Sequence, residues 1–304
     1  MTDSLTAGSR TEPPLWRAYL DLCKPKVVAL ISFTALVGMC LATSGLVPLN
    51  ALIFGNLGIF LAASAAAAVN HVLDSRADAM MARTRNRPLP AGQISGTQAL
   101  LFAGLLAALS MTVLVLLVNP LTAALTFASL IGYAVVYTLF LKRATPQNIV
   151  IGGAAGAAPP VLGWTAVSGE LDPNALLLFL IIFAWTPPHF WALAIYRRRE
   201  YAQAGIPMLP VTHGVAFTSL QALFYTVLLC VVSVLPFLTG LSGPLYLAGA
   251  AILGGVFCYH AVALYRRQDD ATARGMFRYS IIYLMMLFAV LLADHYWLRP
   301  VSVI

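Results

Sequence analysis

Charge is what this sequence most lacks. Of its 304 residues only 10% are Asp, Glu, Lys or Arg, while 60% are hydrophobic and the mean hydropathy is +0.85. So little charge excludes a water-soluble domain and points to a polytopic membrane protein. Cysteine is scarce as well. Cys23, Cys40, Cys230 and Cys258 are scattered without metal-ligand or disulfide spacing, which excludes a disulfide scaffold and a thiolate metal centre and leaves buried thiols. The N-terminal MTDSLTAGSRTEPP lacks the apolar stretch of a secretory signal. It reads as the start of a disordered cytoplasmic tail over residues 1–20, ahead of a single intramembrane domain over 21–304. The net charge of +7 does not require nucleic acid, because basic residues gathered at membrane edges produce the same excess.

What is present is a series of hydrophobic runs long enough to cross a bilayer. Nine are predicted, at roughly 26–44, 50–70, 97–117, 121–141, 148–167, 174–194, 216–237, 244–264 and 278–297. With the N-terminus in the cytoplasm, 17 of the 18 basic residues fall on the inner side and only Arg299 lies outside. The opposite orientation reverses that bias, so the N-terminus is expected inside and the C-terminus outside. The fold class expected is all-α, with nine transmembrane helices in two pseudo-repeated bundles around a central cavity. The repeat is read from an echo about 120 residues apart, an order-of-magnitude spacing of internal repeats. Each half carries a polar helix end, then arginines, then a proline-containing turn (Arg87-Pro-Leu-Pro90 and Pro207-Met-Leu-Pro210).

The chemistry is concentrated in Asn70–Pro90, NHVLDSRADAMMARTRNRPLP, directly after an almost uncharged run of small and apolar residues. Asn70, Asp74 and Asp78 recur at i, i+4 and i+8. On a helix they drift only about 80° around the axis and share one face. Two carboxylates one turn apart repel, and a hard cation between them relieves the repulsion; Mg²⁺ takes one or two protein carboxylates and completes its shell with water and phosphate oxygens. Arg83, Arg85 and Arg87 follow, and guanidinium forks suit phosphate. The triple reads as a Mg²⁺–diphosphate site at the mouth of a transmembrane helix. The arginines by themselves also fit a purely topological role.

Other polar residues have two readings each. Lys24 and Lys26 are snorkelling anchors or contributors to anion binding. Lys142 and Arg143 end the fourth span as topology signals, or neutralise a diphosphate from the same membrane side as Asp74 and Asp78. Gly152-Gly-Ala-Ala-Gly-Ala-Ala158 allows close helix packing. Pro159-Pro160 and Pro187-Pro188 are expected to break their spans, freeing backbone groups that belong in protein or along a polar cavity. His189 sits beside the second break and begins a face continued by Tyr196 and Glu200. It is either a satisfied core histidine or a functional group. The segment 266–274 reads as a solvated connection.

These residues resemble a known family. Asn70-xxx-Asp74-xxx-Asp78 with Arg83-Thr-Arg-Asn-Arg87-Pro looks like the first aspartate-rich motif of the UbiA superfamily of intramembrane prenyltransferases. Asn148-Ile…Gly152-Gly-Ala-Ala-Gly-Ala-Ala-Pro-Pro160…Gly163-Trp164, Pro187-Pro-His189-Phe-Trp-Ala-Leu-Ala194 and Tyr201-Ala-Gln-Ala-Gly-Ile-Pro-Met-Leu-Pro210 are similar to its haem-modifying branch. The resemblance implies Mg²⁺-dependent transfer of farnesyl from farnesyl diphosphate to a vinyl group of haem b, with water addition, in a bacterial inner membrane. It implies that Asn70, Asp74 and Asp78 hold metal and diphosphate, with Asp74, Asp78 and His189 catalytic. Arg83, Arg87, Lys142 and Arg143 would hold phosphate oxygens, and His189, Tyr196 and Glu200 would serve the haem or a second site. Where most members carry a second aspartate pair, this sequence offers His189, Tyr196 and Glu200 instead. The lipid bilayer and a downstream haem A synthase are the implied partners, with no nucleic acid. An aromatic-acid or quinone-precursor prenyltransferase is the alternative that keeps the chemistry; a broken-helix transporter is the one that does not.

Overall fold

The computed structural model describes residues 14–298, and among them every regular element is helical. Fourteen α-helices run in the order α1 Leu15–Leu22, α2 Pro25–Leu41, α3 Asn56–Met80, α4 Gly96–Leu117, α5 Pro120–Ile131, α6 Lys142–Ala144 and α7 Asn148–Ala157. They continue with α8 Pro159–Ser168, α9 Pro173–Tyr196, α10 Arg198–Gln203, α11 Leu209–Thr212, α12 Gly214–Leu238, α13 Pro244–Arg267 and α14 Asp270–Leu298. Wider helical turns precede α3 (Ala51–Gly55) and follow α5 (Gly132–Leu141).

Eight of these segments are long and apolar enough to cross a membrane. A ninth arises if α1 and α2 count as one span, bent by 47° at Cys23 and Lys24. The expected number of spans is therefore met, with the first one broken. Residues 1–13 of the expected tail lie outside the described residues. From Leu15 the chain is already helical, because LWRAYLDL places Ala18 and Leu22 on one buried face.

Hydrocarbon offers no hydrophobic drive for helix association, so contacts rest on small residues and polar links. α3 packs most extensively on α4. Gly58 lies against the Leu114 side chain, and the Ser110 hydroxyl donates to the Gly58 carbonyl at 2.7 Å. α2 and α8 approach until backbone meets backbone: a Cβ at Gly38 would collide with the Pro160 carbonyl, and one at Gly163 with the Ala35 carbonyl. In α7 a Cβ at Gly152 would strike the Tyr137 ring, and Gly153 lies against Thr186. The small-residue motif thus packs helices, as its composition predicts.

The two proline pairs behave differently. At Pro159-Pro160 the span divides into α7 and α8, although Ala158 between them keeps right-handed helical angles. At Pro187-Pro188 the expected break does not occur, and α9 runs unbroken through both prolines. The missing N–H groups deprive the Phe183 and Ala184 carbonyls of their usual donors. Neighbouring contacts nevertheless hold the helix: the Thr186 hydroxyl donates to the Ile182 carbonyl at 2.8 Å, and the Trp185 indole N–H donates across to the Ser280 carbonyl of α14 at 2.7 Å. The largest buried cluster gathers α9, α12, α13 and α14 with parts of α2, α7 and α8. α14 also reaches α2, joining the last span to the first.

Candidate active site

α3 carries Asn70, Asp74 and Asp78 along one buried face, each about 5% exposed or less. Three other elements deliver cations to that face. Lys24, at the bend between α1 and α2, donates to Asn70 Oδ1 at 2.5 Å. Lys142, at the end of the fourth span, donates to Asp74 Oδ2 at 2.5 Å. Arg87, in the loop after α3, donates to Asp78 Oδ2 at 2.6 Å. The Asn70 amide links the row by donating to Asp74 Oδ2 at 2.9 Å and to Thr138 Oγ1 at 3.4 Å.

Local structure explains each placement. Lys24 adopts φ 49°, ψ 61°, a left-handed conformation that costs an ordinary side chain energy and is retained where surroundings over-determine it. Here that conformation lets α2 start at Pro25 while Lys24 reaches Asn70. Before Lys142 the helix widens, so the Lys142 N–H bonds the Tyr137 carbonyl five residues back. Widened turns of this kind recur at functional sites, and this one sets Thr138 and Lys142 against Asn70 and Asp74. After α3 the chain turns sharply, with Thr84 Oγ1 donating to the Asp78 carbonyl at 2.9 Å. That turn returns Arg87 to Asp78.

The repulsion expected between Asp74 and Asp78 is therefore relieved by Lys142 and Arg87, one cation for each carboxylate. The donor set is all oxygen: two carboxylates and one amide. Among the described residues no cluster of three His, Cys, Asp or Glu exists that would hold a metal by protein groups alone. Such a set fits a hard cation that takes the rest of its shell from phosphate and water, and does not fit a closed zinc site.

The other expected site residues divide into two groups. Arg83 is exposed and reaches Tyr201 on α10. Burial raises the Tyr201 phenol above its ordinary value, and the Arg83 charge pulls it partly back. The Arg143 side chain lies outside the described residues. His189 lies elsewhere, in the α9–α14 contact: its Nδ1 is 2.7 Å from Ser280 Oγ, and its ring stacks on Trp185 at 4.2 Å and on Phe277 at 4.7 Å. Tyr196 lies one helix end beyond, with the guanidinium carbons of Arg197 and Arg274 each 5.4 Å from its ring centre. Glu200 pairs with Arg197.

Sequence reading missed Lys24 as a direct partner of the motif and Thr138 altogether. The Lys-Pro-Lys run marked Lys24 as a boundary anchor or a contributor to anion binding, without pointing to Asn70 as its partner. For Thr138 no sequence signal existed, because its role depends on the widened turn.

Known proteins resemble this chain over most of its length. The profile of the UbiA prenyltransferase family matches residues 31–293. A protein named protoheme IX farnesyltransferase from Marinobacter nauticus is 62% identical over 285 residues, covering 94% of each chain. A solved structure described as digeranylgeranylglyceryl phosphate synthase superimposes with a TM-score of 0.77 at 20% identity, covering 92% of this chain and 98% of that one. A UbiA homologue from Archaeoglobus fulgidus bound to GPP and Mg²⁺ gives a TM-score of 0.61 at 17% identity, covering 90% and 99%. Matched from its second helix almost to the end of its last, and built around an asparagine–aspartate row at a helix mouth, this chain belongs to the UbiA prenyltransferase family.

Proposed function

We propose that this protein transfers a farnesyl group from farnesyl diphosphate to a vinyl group of haem b, giving haem O with addition of water. The observation that carries the reading is the buried row Asn70–Asp74–Asp78 with Lys24, Lys142 and Arg87 converging on it. The 62% identity to a protoheme IX farnesyltransferase supports the choice of acceptor. The homologue with GPP and Mg²⁺ supports the choice of donor class and metal.

Asn70, Asp74 and Asp78 would hold Mg²⁺, which when bound supplies positive charge against the leaving diphosphate. Lys24, Lys142, Arg83 and Arg87 bind the phosphate oxygens, with Arg143 as a further candidate. Asp74 and Asp78 keep Lys142 and Arg87 poised at the site before substrate arrives. On substrate binding Lys142 and Arg87 would turn from the carboxylates to the diphosphate, leaving Asp74 and Asp78 free to hold the metal. The cations then stabilise the charge that grows on diphosphate as the allylic C–O bond ionises. The apolar surroundings keep water from the allylic cation until a haem vinyl carbon attacks it. Water then adds to the resulting substituted cation and loses a proton, leaving a hydroxyethyl carbon. His189, with Phe190 edge-on at 5.0 Å, serves the acceptor side.

The same reading puts the protein in the bacterial inner membrane, and the bias of its basic residues favours an N-terminus and diphosphate site on the cytoplasmic side with the C-terminus outside. A haem A synthase is the expected consumer of the product. The test is mass analysis of haem extracted from cells expressing the protein, beside membranes given farnesyl diphosphate with haem b or 4-hydroxybenzoate. Haem O from the wild type, on the order of 10²–10³-fold less from Asp74→Asn and no prenylated benzoate is the expected result. A prenylated benzoate without haem O would refute the acceptor assignment.

A further inference from the structure

Between the end of α9 and the start of α14 lies a cleft of about 310 Å³, lined by Tyr196, Arg197, Arg274, Phe277 and Arg278. Its charge is only partly compensated. Four ion pairs exist among the described residues, and they engage Arg87, Lys142, Arg197 and Arg198. Arg274 and Arg278 have no acidic partner there, although they stand one helical turn apart, where like charges repel. Arg197 spends one guanidinium nitrogen on Glu200, while its buried Nε has no hydrogen-bond partner. Solvated topology arginines need no shared cleft and no common aromatic ring. These three converge on one cleft, and two of them sit over Tyr196.

Two rings of its lining, Tyr196 and Phe277, begin an aromatic column. Tyr196 meets Phe277 edge-on at 6.0 Å, Phe277 stacks on His189, and His189 stacks on Trp185. From Tyr196 back to His189 the helix descends about 10 Å into the apolar layer. Cations lie at the rim and flat rings lie below. The complementary ligand is a flat apolar molecule with carboxylates along one edge. Haem b, the acceptor on which this inference rests, has that form: two propionates that must remain at the aqueous boundary and a macrocycle that need not.

We propose that this cleft is the carboxylate subsite of the acceptor, in which Arg274 and Arg278 bind the haem propionates and Tyr196 with Arg197 forms the floor. The cleft thereby orients the macrocycle, with its carboxylate edge outward and its interior along the α9–α14 aromatic column. Guanidinium forks match carboxylates in pairs, which explains arginine rather than lysine at both α14 positions.

The test uses the full-length protein in nanodiscs of zwitterionic lipid and, separately, of anionic lipid. Haem b and its dipropionate dimethyl ester are titrated by absorbance, and farnesyl diphosphate binding is measured in parallel as a check of folding. The wild type is expected to bind the acid about tenfold or more tighter than the ester, the size of a charge-assisted hydrogen bond. R274Q/R278Q is expected to lose that preference while keeping wild-type affinity for the ester and for farnesyl diphosphate, and R274K/R278K to recover part of it. A wild type that does not distinguish acid from ester overturns the proposal. So does a double variant that weakens both equally, or a preference that exists only in one lipid charge class, since either marks a general surface-charge effect. Failure of the wild type to bind or prenylate haem b at all, with farnesyl diphosphate bound normally, would instead sink the acceptor assignment itself.

Discussion

At the residue scale the informative pairs are Asp74 with Lys142 and Asp78 with Arg87. Each joins a carboxylate that is 7% exposed to a cation from another part of the chain. Breaking such a pair on one side leaves a charge stranded in a poorly solvated place, which costs about 3–5 kcal/mol, while neutralising both sides is far milder. Asp74→Asn is therefore expected to lower both thermal stability and turnover, the latter on the order of 10²–10³-fold. Asp74→Asn with Lys142→Gln should regain most of the stability and none of the turnover. Melting curves beside product mass separate the two effects; recovery of activity in the double variant would contradict a metal–diphosphate role. His189 makes a different prediction. His189→Gln retains a group able to bond Ser280, so folding should persist and farnesyl diphosphate affinity should hold, while the rate with haem b falls by about 10²-fold. An unchanged rate would leave His189 a packing residue of the α9–α14 contact.

At the scale of elements, two features place the site without touching substrate. The first is the α2–α8 crossing, where Gly38 and Gly163 each face a backbone carbonyl. Backbone cannot yield as a flexible side chain can. Gly38→Ala or Gly163→Ala should therefore cost about 1–3 kcal/mol or more, seen as lost yield and a lower melting temperature in detergent. Gly156→Ala is the control, because nothing lies within 4 Å of a Cβ there. The second is the widened turn at Gly132–Leu141, which carries Thr138 and Lys142 to α3. Much of this level was legible beforehand. The i, i+4, i+8 row required a shared helix face, and the glycines required close packing. The course of α9 was not legible. Pro187-Pro188 reads locally as a break, but α9 runs unbroken through it beside contacts to Ser280, which lies about 90 residues away in sequence.

At the scale of the whole molecule, one end of the bundle gathers both the aspartate row and the arginine cleft. The ends of α3, α9 and the fourth span and the start of α14 meet there, linked by Lys142 to Asp74 and by Arg198 to Asp270. Asp269 is exposed in the α13–α14 connection, and its carboxyl lies below the ordinary range chiefly because it accepts the Thr272 backbone N–H. It caps the start of α14 rather than neutralising the arginines. If that end faces the cytoplasm, a reporter fused after residue 269 should be active only inside, and one fused at the C-terminus only outside. The reverse pattern would overturn the charge-bias orientation.

Membrane class, helix number, the helix-face carboxylate row and the family follow from this sequence alone. Each depends on properties local in the chain: hydropathy summed over about 20 residues, a 3.6-residue period and short motifs. What only the tertiary structure decided is who partners whom. Lys24 on Asn70, Lys142 on Asp74, His189 enclosed by α14, and three arginines from two helices around one cleft are all encounters between distant segments. Their geometry is set by how closely glycine-lined helices approach, which no local pattern specifies.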